Sequence, residues 1–186
     1  MRLDPRSPLV LNTHELGRRP GSMQTLELTV PAPADLGIEL LGVPEGAPIE
    51  LVLRLEAVME GVLATGEARA TVAGECARCL ESFEDDLEVT FQELYVYPES
   101  DAEEDEASRL VEAHLDLEPV LRDAVVLALP FQPVCSPDCP GLCPECGARL
   151  ADHPGHKHEE QVDPRWAALS TLTTNDAGAD AGEDEE

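Results

Sequence analysis

The sequence predicts an α+β protein: an antiparallel β-meander or partly open barrel, one packed helix, and a Cys-rich metal-binding loop. Three observations carry that expectation. Several segments alternate apolar and polar residues with the period of half-buried strands. Residues 118–129 switch to helical spacing. Directly after them, Cys135, Cys139, Cys143 and Cys146 fall within twelve residues, among prolines and a glycine.

Residues 1–23 read as irregular, with one short helical turn from Asn12 to Leu16 ended by Gly17. Arg18-Arg19-Pro20-Gly21 reads as a solvated loop without a site. In residues 24–30, Leu26, Leu28 and Val30 share one side of a strand. Pro31, Pro33 and Gly37 then break the chain, and Ile38 to Leu41 form a short extended piece. Residues 49–59 point Leu51, Leu53, Leu55, Ala57 and Met59 one way and Arg54, Glu56 and Glu60 the other, with a tight turn expected at Glu60-Gly61. Residues 62–73 turn Val62, Ala64, Ala68, Ala70 and Val72 inward, and Gly66 is the expected place of a bulge. The returning strand, Phe83 to Tyr97, carries Leu87, Val89, Phe91, Tyr95 and Tyr97 on one side. Cys76-Ala77-Arg78-Cys79 lies at the tip between these two strands. One more strand, Val111 to Leu117, puts His114 on its polar face, where solvation is the expectation.

The helix begins with Pro119 in its first turn, where a missing N–H costs nothing. Val120, Leu121, Ala124, Val125, Leu127 and Ala128 form a broad apolar face for the sheet, and Pro130 ends it. One domain is expected over residues 1–170, with an acidic flexible loop at 98–109 and the Cys-rich segment at 130–150. A short helix at 163–169 would dock Trp166 and Leu169, and residues 171–186 form a disordered acidic tail.

Apolar residues make up 42% of the 186 and aromatics only 3%, so the core must be built from Leu, Val and Ala. The formal net charge is −27, from 12 basic against 39 acidic residues. That balance opposes a grip on nucleic-acid phosphates and suits a basic partner. The N-terminal stretch has no apolar signal-peptide core, and no run approaches the ~20 apolar residues of a membrane span. A cytoplasmic location is therefore expected, with the cysteines reduced or metal-bound. No phosphate loop, His-Glu-x-x-His or Gly-x-Ser-x-Gly motif occurs. The reading is a non-enzymatic protein with no evident small-molecule substrate.

Four closely spaced cysteines suit a closed tetrahedral zinc site, which is structural rather than catalytic. Two partitions present themselves. The contiguous set is Cys135, Cys139, Cys143 and Cys146, needing no long-range contact. The alternative pairs two Cys-x-x-Cys knuckles, Cys76 and Cys79 with Cys143 and Cys146, as in a zinc ribbon. The contiguous set is preferred, and Cys143 and Cys146 belong to both. A histidine from His153, His156 and His158 in place of one cysteine is the lesser variant. Cys76 and Cys79 sit at a strand-to-strand turn rather than at the head of a helix, which speaks against redox catalysis. A second metal or a structural turn is the plainer account of them.

Through Cys76-Ala77-Arg78-Cys79-Leu80, Leu129-Pro130 and Gly141-Leu142-Cys143-Pro144-Glu145-Cys146-Gly147, the chain resembles the YceD-like family, the large ribosomal RNA subunit accumulation proteins. Asp163-Pro164-Arg165-Trp166-Ala167-Ala168-Leu169 fits that family's C-terminal segment, so the resemblance spans roughly residues 8–170. It implies a bacterial cytoplasmic protein that supports normal levels of large-subunit ribosomal RNA. It also implies a link to a small basic protein of the large subunit. Variation of the later cysteines within the family favours an independent contiguous site. The acidic balance then points to action through a basic ribosomal protein or large-subunit assembly factor, with ribosomal RNA contacted indirectly. Direct RNA contact through the Cys-x-Arg-Cys tip and Arg149, and a metal-stapled structural module with no RNA role, are the alternatives.

Overall fold

The structure, a computed structural model, describes residues 3–100, 107–158 and 165. The chain divides into two compact units, Met1–Leu142 and Cys143–Glu186. That boundary falls inside the segment expected to form one metal-binding loop. The sheet and the helix belong to the first unit.

Its strands are β1 (Val10–Asn12), β2 (Met23–Pro31), β3 (Leu36–Ile38), β4 (Leu41–Val43), β5 (Pro48–Ala57), β6 (Gly61–Glu75), β7 (Ser82–Val96), β8 (Ser108–Arg109) and β9 (His114–Asp116), followed by helix α1 (Glu118–Ala128). Seven strands form one sheet in the order β2-β5-β6-β4-β3, with β7 on β6 and β8 on β7. All its pairs are antiparallel except β7 with β8. The sheet is mostly antiparallel and not closed, in keeping with the expected fold class. β1 and β9 pair apart from it.

The period-2 pattern sorts the faces as expected. Ile49, Leu51, Leu53, Leu55 and Ala57 of β5 are all buried, while Glu50, Val52 and Arg54 face solvent. Cross-strand rows join Leu28, Leu51, Ala68 and Val89, and then Leu26, Leu53, Gly66 and Phe91. The second row explains Gly66. Its pairing with Leu53 and Phe91 is regular, with no bulge. A Cβ there would run into the Phe91 ring and the Leu53 side chain. With few aromatics available, the glycine opposite Phe91 lets that ring fill the core.

The turns depart from the simplest reading for local reasons. Val58 donates its N–H to Gly61 O at 2.9 Å, so Met59 and Glu60 occupy the tip. Met59 is therefore 85% exposed rather than continuing the apolar face. The alternation from Val111 to Leu117 is also interrupted. Val111 and His114 exchange two 2.9 Å backbone hydrogen bonds around Glu112 and Ala113, whose φ values are 49° and 62°. His114 is not simply solvated: its Nδ1 lies 3.0 Å from Glu112 O and its Nε2 3.4 Å from Asn12 Nδ2. Arg18, expected in a solvated loop, stacks over the Tyr97 ring at 4.6 Å and pairs with Glu99. Asn12 ends β1 and residues 14–18 form turns rather than a helix, with the Asn12 side chain accepting from the His14 N–H.

Helix α1 buries Leu121 and Val125, four residues apart on one stripe. Leu127 lies on the opposite side and is 84% exposed, so the apolar face is narrower than its composition suggests. Asp116 Oδ1 accepts the Glu118 N–H, and Tyr95 Oη donates to Asp116 O at 2.7 Å, which fixes the helix start to β7. Among the described residues, no helix is long and apolar enough to cross a membrane. The expected short helix at 163–169, except Arg165 in a turn, and the acidic tail lie outside the described residues, as do residues 101–106 of the acidic loop.

The Gly66 packing yields a test. Gly66→Ala should destabilise the protein by about 1–3 kcal/mol, the usual cost of overpacking. Phe91→Leu added to Gly66→Ala should recover part of that loss, read as a non-additive double-mutant cycle in denaturant unfolding.

Candidate metal centres

The fifteen pairs of β6 with β7, from Gly61 with Val96 to Glu75 with Ser82, carry the Cys76–Cys79 turn to the end of a long ladder. There the backbone closes into a knuckle. Cys76 donates its N–H to Glu81 O, and Leu80 donates to Cys76 O, each at 2.8 Å. Leu80 takes the left-handed conformation, φ 59°, a position where glycine is the usual occupant.

Residues beyond the helix fold back on this knuckle. Ala77 donates to Pro133 O at 2.8 Å, and Leu142 donates to Arg78 O at 3.1 Å. The Arg78 guanidinium donates to the carbonyls of Cys139 at 3.1 Å and Pro137 at 3.3 Å. Gly141, φ 76°, lets the chain pass close to Arg78, whose carbonyl a Cβ would meet at 3.1 Å. These contacts bring Cys135 and Cys139 to Cys76 and Cys79, with all four Sγ atoms within 4.8 Å of one another. Cys76, Cys79 and Cys139 are buried and Cys135 is exposed.

The spacing fits a tetrahedral metal site. Sγ of Cys76 lies 3.8 Å from that of Cys139, and Sγ of Cys79 lies 3.7 Å from that of Cys135. All six cysteines are free. A tetrahedron of sulfurs about 2.3 Å from a central zinc has edges of about 3.8 Å. The electrostatics agree. Burial raises the Cys76 thiol, but the N–H groups of Cys135, Cys79 and Arg78 outweigh it and bring it down to about 6. Contact with Cys139 and Cys79, together with burial, pushes Cys135 up to about 12. Sulfurs this crowded share negative charge poorly until a cation stands between them.

A second donor set lies in the second unit. Cys143, Cys146, His156 and His158 bring one ligand atom each within 4.8 Å of the others. Its knuckle repeats the first: Cys143 donates to Ala148 O and Gly147 to Cys143 O, each at 2.8 Å. Here Gly147 holds the left-handed position, φ 72°. The N–H groups of Cys146 and Glu145 lower the Cys143 thiol to about 6 against the effect of its burial.

Both sets hold donors that could bind a metal ion. The expected contiguous quartet is thus divided, Cys135 and Cys139 going to one set and Cys143 and Cys146 to the other. The alternative quartet is divided in the same way between Cys76 with Cys79 and Cys143 with Cys146. Sequence proximity favoured the contiguous set, but each Cys-x-x-Cys forms its own knuckle and recruits a separate pair. His156 and His158 enter together, where the sequence reading allowed one histidine at most. The signal for them was His-Lys-His ten residues after a Cys-Pro-Glu-Cys-Gly knuckle. His153 is not among the donors.

The fold is thus a mostly antiparallel open sheet with one helix, and the cysteine clusters are donor sets that could hold a metal ion. The chain belongs to the YceD family: the family described as large ribosomal RNA subunit accumulation protein YceD matches residues 64–173. It is 52% identical over 167 residues to the uncharacterized protein Rv2926c of Mycobacterium tuberculosis (strain ATCC 25618 / H37Rv), covering 88% of this chain and 80% of that one. It is 44% identical over 174 residues to the uncharacterized protein ML1660 of Mycobacterium leprae (strain TN), covering 91% and 80%. The uncharacterized protein YlbN of Bacillus subtilis (strain 168) is 30% identical over 112 residues, covering 57% and 65%. No solved structure matches the chain. The resemblance read from the Cys-x-Arg-Cys and Cys-Pro-Glu-Cys motifs is thereby borne out.

The knuckle geometry yields two tests. Leu80→Gly should keep the fold and metal content and raise stability by up to ~1 kcal/mol, because glycine relieves the left-handed backbone. Leu80→Val, branched at Cβ, should lower it, both read as thermal midpoints. Arg78→Ala removes both the charge and the single Nη1 nitrogen that donates to the carbonyls of Pro137 and Cys139. It should weaken metal binding by about 10-fold or more, measured by competition with a chromophoric chelator.

Proposed function

We propose that the protein is a non-enzymatic cytoplasmic factor that supports accumulation of large-subunit ribosomal RNA by holding a basic ribosomal protein or large-subunit assembly factor. Membership of the YceD family, matched over residues 64–173, is the observation that carries the ribosomal part of this reading. Charge supports the partner. The solvent face of the sheet carries Glu27 of β2, Glu50 of β5, Glu67 of β6 and Glu88 of β7. Its two arginines are already engaged, Arg54 with Glu56 and Arg69 with Glu67 and Glu88. Glu84, Asp85 and Asp86 extend the acidic surface along β7 toward the knuckle. Against a chain of net charge −27, a phosphate backbone is repelled and a Lys- or Arg-rich protein is drawn in.

In this reading, zinc occupies the cluster of Cys76, Cys79, Cys135 and Cys139. All four positions are filled by protein, so the ion is structural and leaves no open site for catalysis. It would tie the exit of α1 to the tip of the β6–β7 hairpin, keeping the acidic face and the knuckle in one frame. Arg78 offsets the negative charge of a four-thiolate centre.

Depletion in cells should lower large-subunit relative to small-subunit ribosomal RNA, and a tagged chain should recover a basic protein that is released as salt is raised. A normal ribosome profile after depletion would overturn the ribosomal reading. Recovery of ribosomal RNA without any protein, in a form that survives high salt, would overturn the partner.

A further inference from the structure

We infer that Cys143, Cys146, His156 and His158 bind a second zinc ion, independently of the four-cysteine centre, and that this ion orders residues 143–158. Four observations converge on it. First, the Cys143–Gly147 backbone reproduces the Cys76–Leu80 knuckle bond for bond, with the same two 2.8 Å contacts. Second, the donors face one point: Sγ of Cys146 lies 3.3 Å from Nε2 of His156 and 3.3 Å from Nε2 of His158. Third, the other nitrogen of His158 has an outer partner. Its Nδ1 lies 3.3 Å from Glu145 Oε2. A carboxylate on Nδ1 holds that nitrogen protonated and leaves Nε2 free as a ligand, the arrangement that orients metal-bound histidines. Fourth, the segment lacks a buried apolar core of its own. Among residues 143–158 only Cys143 is buried, so no apolar core sets the loop's shape. Small units without a core are ordinarily ordered by a metal or a disulfide, and these cysteines are free.

The two Nε2 atoms stand 2.8 Å apart. Nitrogens at about 2.0–2.1 Å from a tetrahedral zinc are separated by about 3.3 Å, so the ion must part the rings by roughly half an ångström. The competing state is an N–H···N hydrogen bond between the same two rings with no ion. The two donor sets also differ in access. Three of the four donors in the first set are buried, against one of four in the second. The second ion should therefore leave first under a chelator.

The test is metal analysis of the full chain purified in the presence of zinc. Wild type should carry two zinc ions per chain. His156→Ala/His158→Ala should carry one, with the far-ultraviolet spectrum of the sheet retained. Cys143→Ser should also drop to one. Replacement of zinc by cobalt adds a check that does not depend on counting: the double histidine variant should lose the mixed sulfur–nitrogen ligand-field bands and keep those of a four-thiolate site. One zinc per chain in wild type would overturn the inference, as would two in the double histidine variant. Loss of both ions in that variant would overturn the independence of the two sites.

Discussion

The register of β6 on β7 is the constraint from which the rest follows. Fifteen consecutive pairs run the length of both strands. A slip of β7 by one residue would turn Val89, Phe91 and Tyr95 to solvent together. The register is held where Gly66 faces Phe91, since only the glycine position has room for the ring. The same register decides that Cys76 and Cys79 stand at the hairpin tip, three residues apart across a tight knuckle. The tip thus inherits its rigidity from a packed sheet, which is what a metal centre needs from its support.

The tip is then closed by a distant part of the chain. Cys135 lies 56 residues beyond Cys79, after the whole of β7, β8, β9 and α1. Closing a loop of that length costs only slightly more entropy than closing a short one, because the cost grows logarithmically. Backbone hydrogen bonds from Ala77 to Pro133 and from Leu142 to Arg78 hold the closure, and Arg78 adds two more to the carbonyls of Pro137 and Cys139. Arg78 makes both of these bonds from its Nη1 nitrogen. Its neighbour Leu80 pays in backbone strain for the turn that Gly147 makes freely in the other knuckle.

Charge organises the remainder of the surface. The sheet's outward arginines are each absorbed by a neighbouring carboxylate, so the outward face stays acidic. Arg18 and Arg122 likewise serve the fold, one over Tyr97 and the other bonded to Glu118 and to the carbonyls of Ala34 and Asp35. The net charge of −27 is thus expressed on the outside, while the core is Leu, Val and Ala with a few rings.

Period-2 alternation placed the main strands, and Pro119 with Pro130 bounded the helix, because those signals are local. The limits of that reading have physical causes. Met59 and the Glu112-Ala113 pair continue the alternation in sequence but sit in turns, where pairing geometry overrides side-chain pattern. Leu127 is apolar yet lies on the far side of α1 from Leu121 and Val125. By itself, the sequence marked the cysteines of the Cys-x-x-Cys knuckles as candidate metal ligands, since a knuckle is a matter of a few neighbouring residues. Which cysteines stand together was decided only in three dimensions. The contiguous four are close along the chain, but each knuckle points its thiols at one place, and what reaches that place is set by the sheet, the helix exit and the turn at Gly155 rather than by sequence distance.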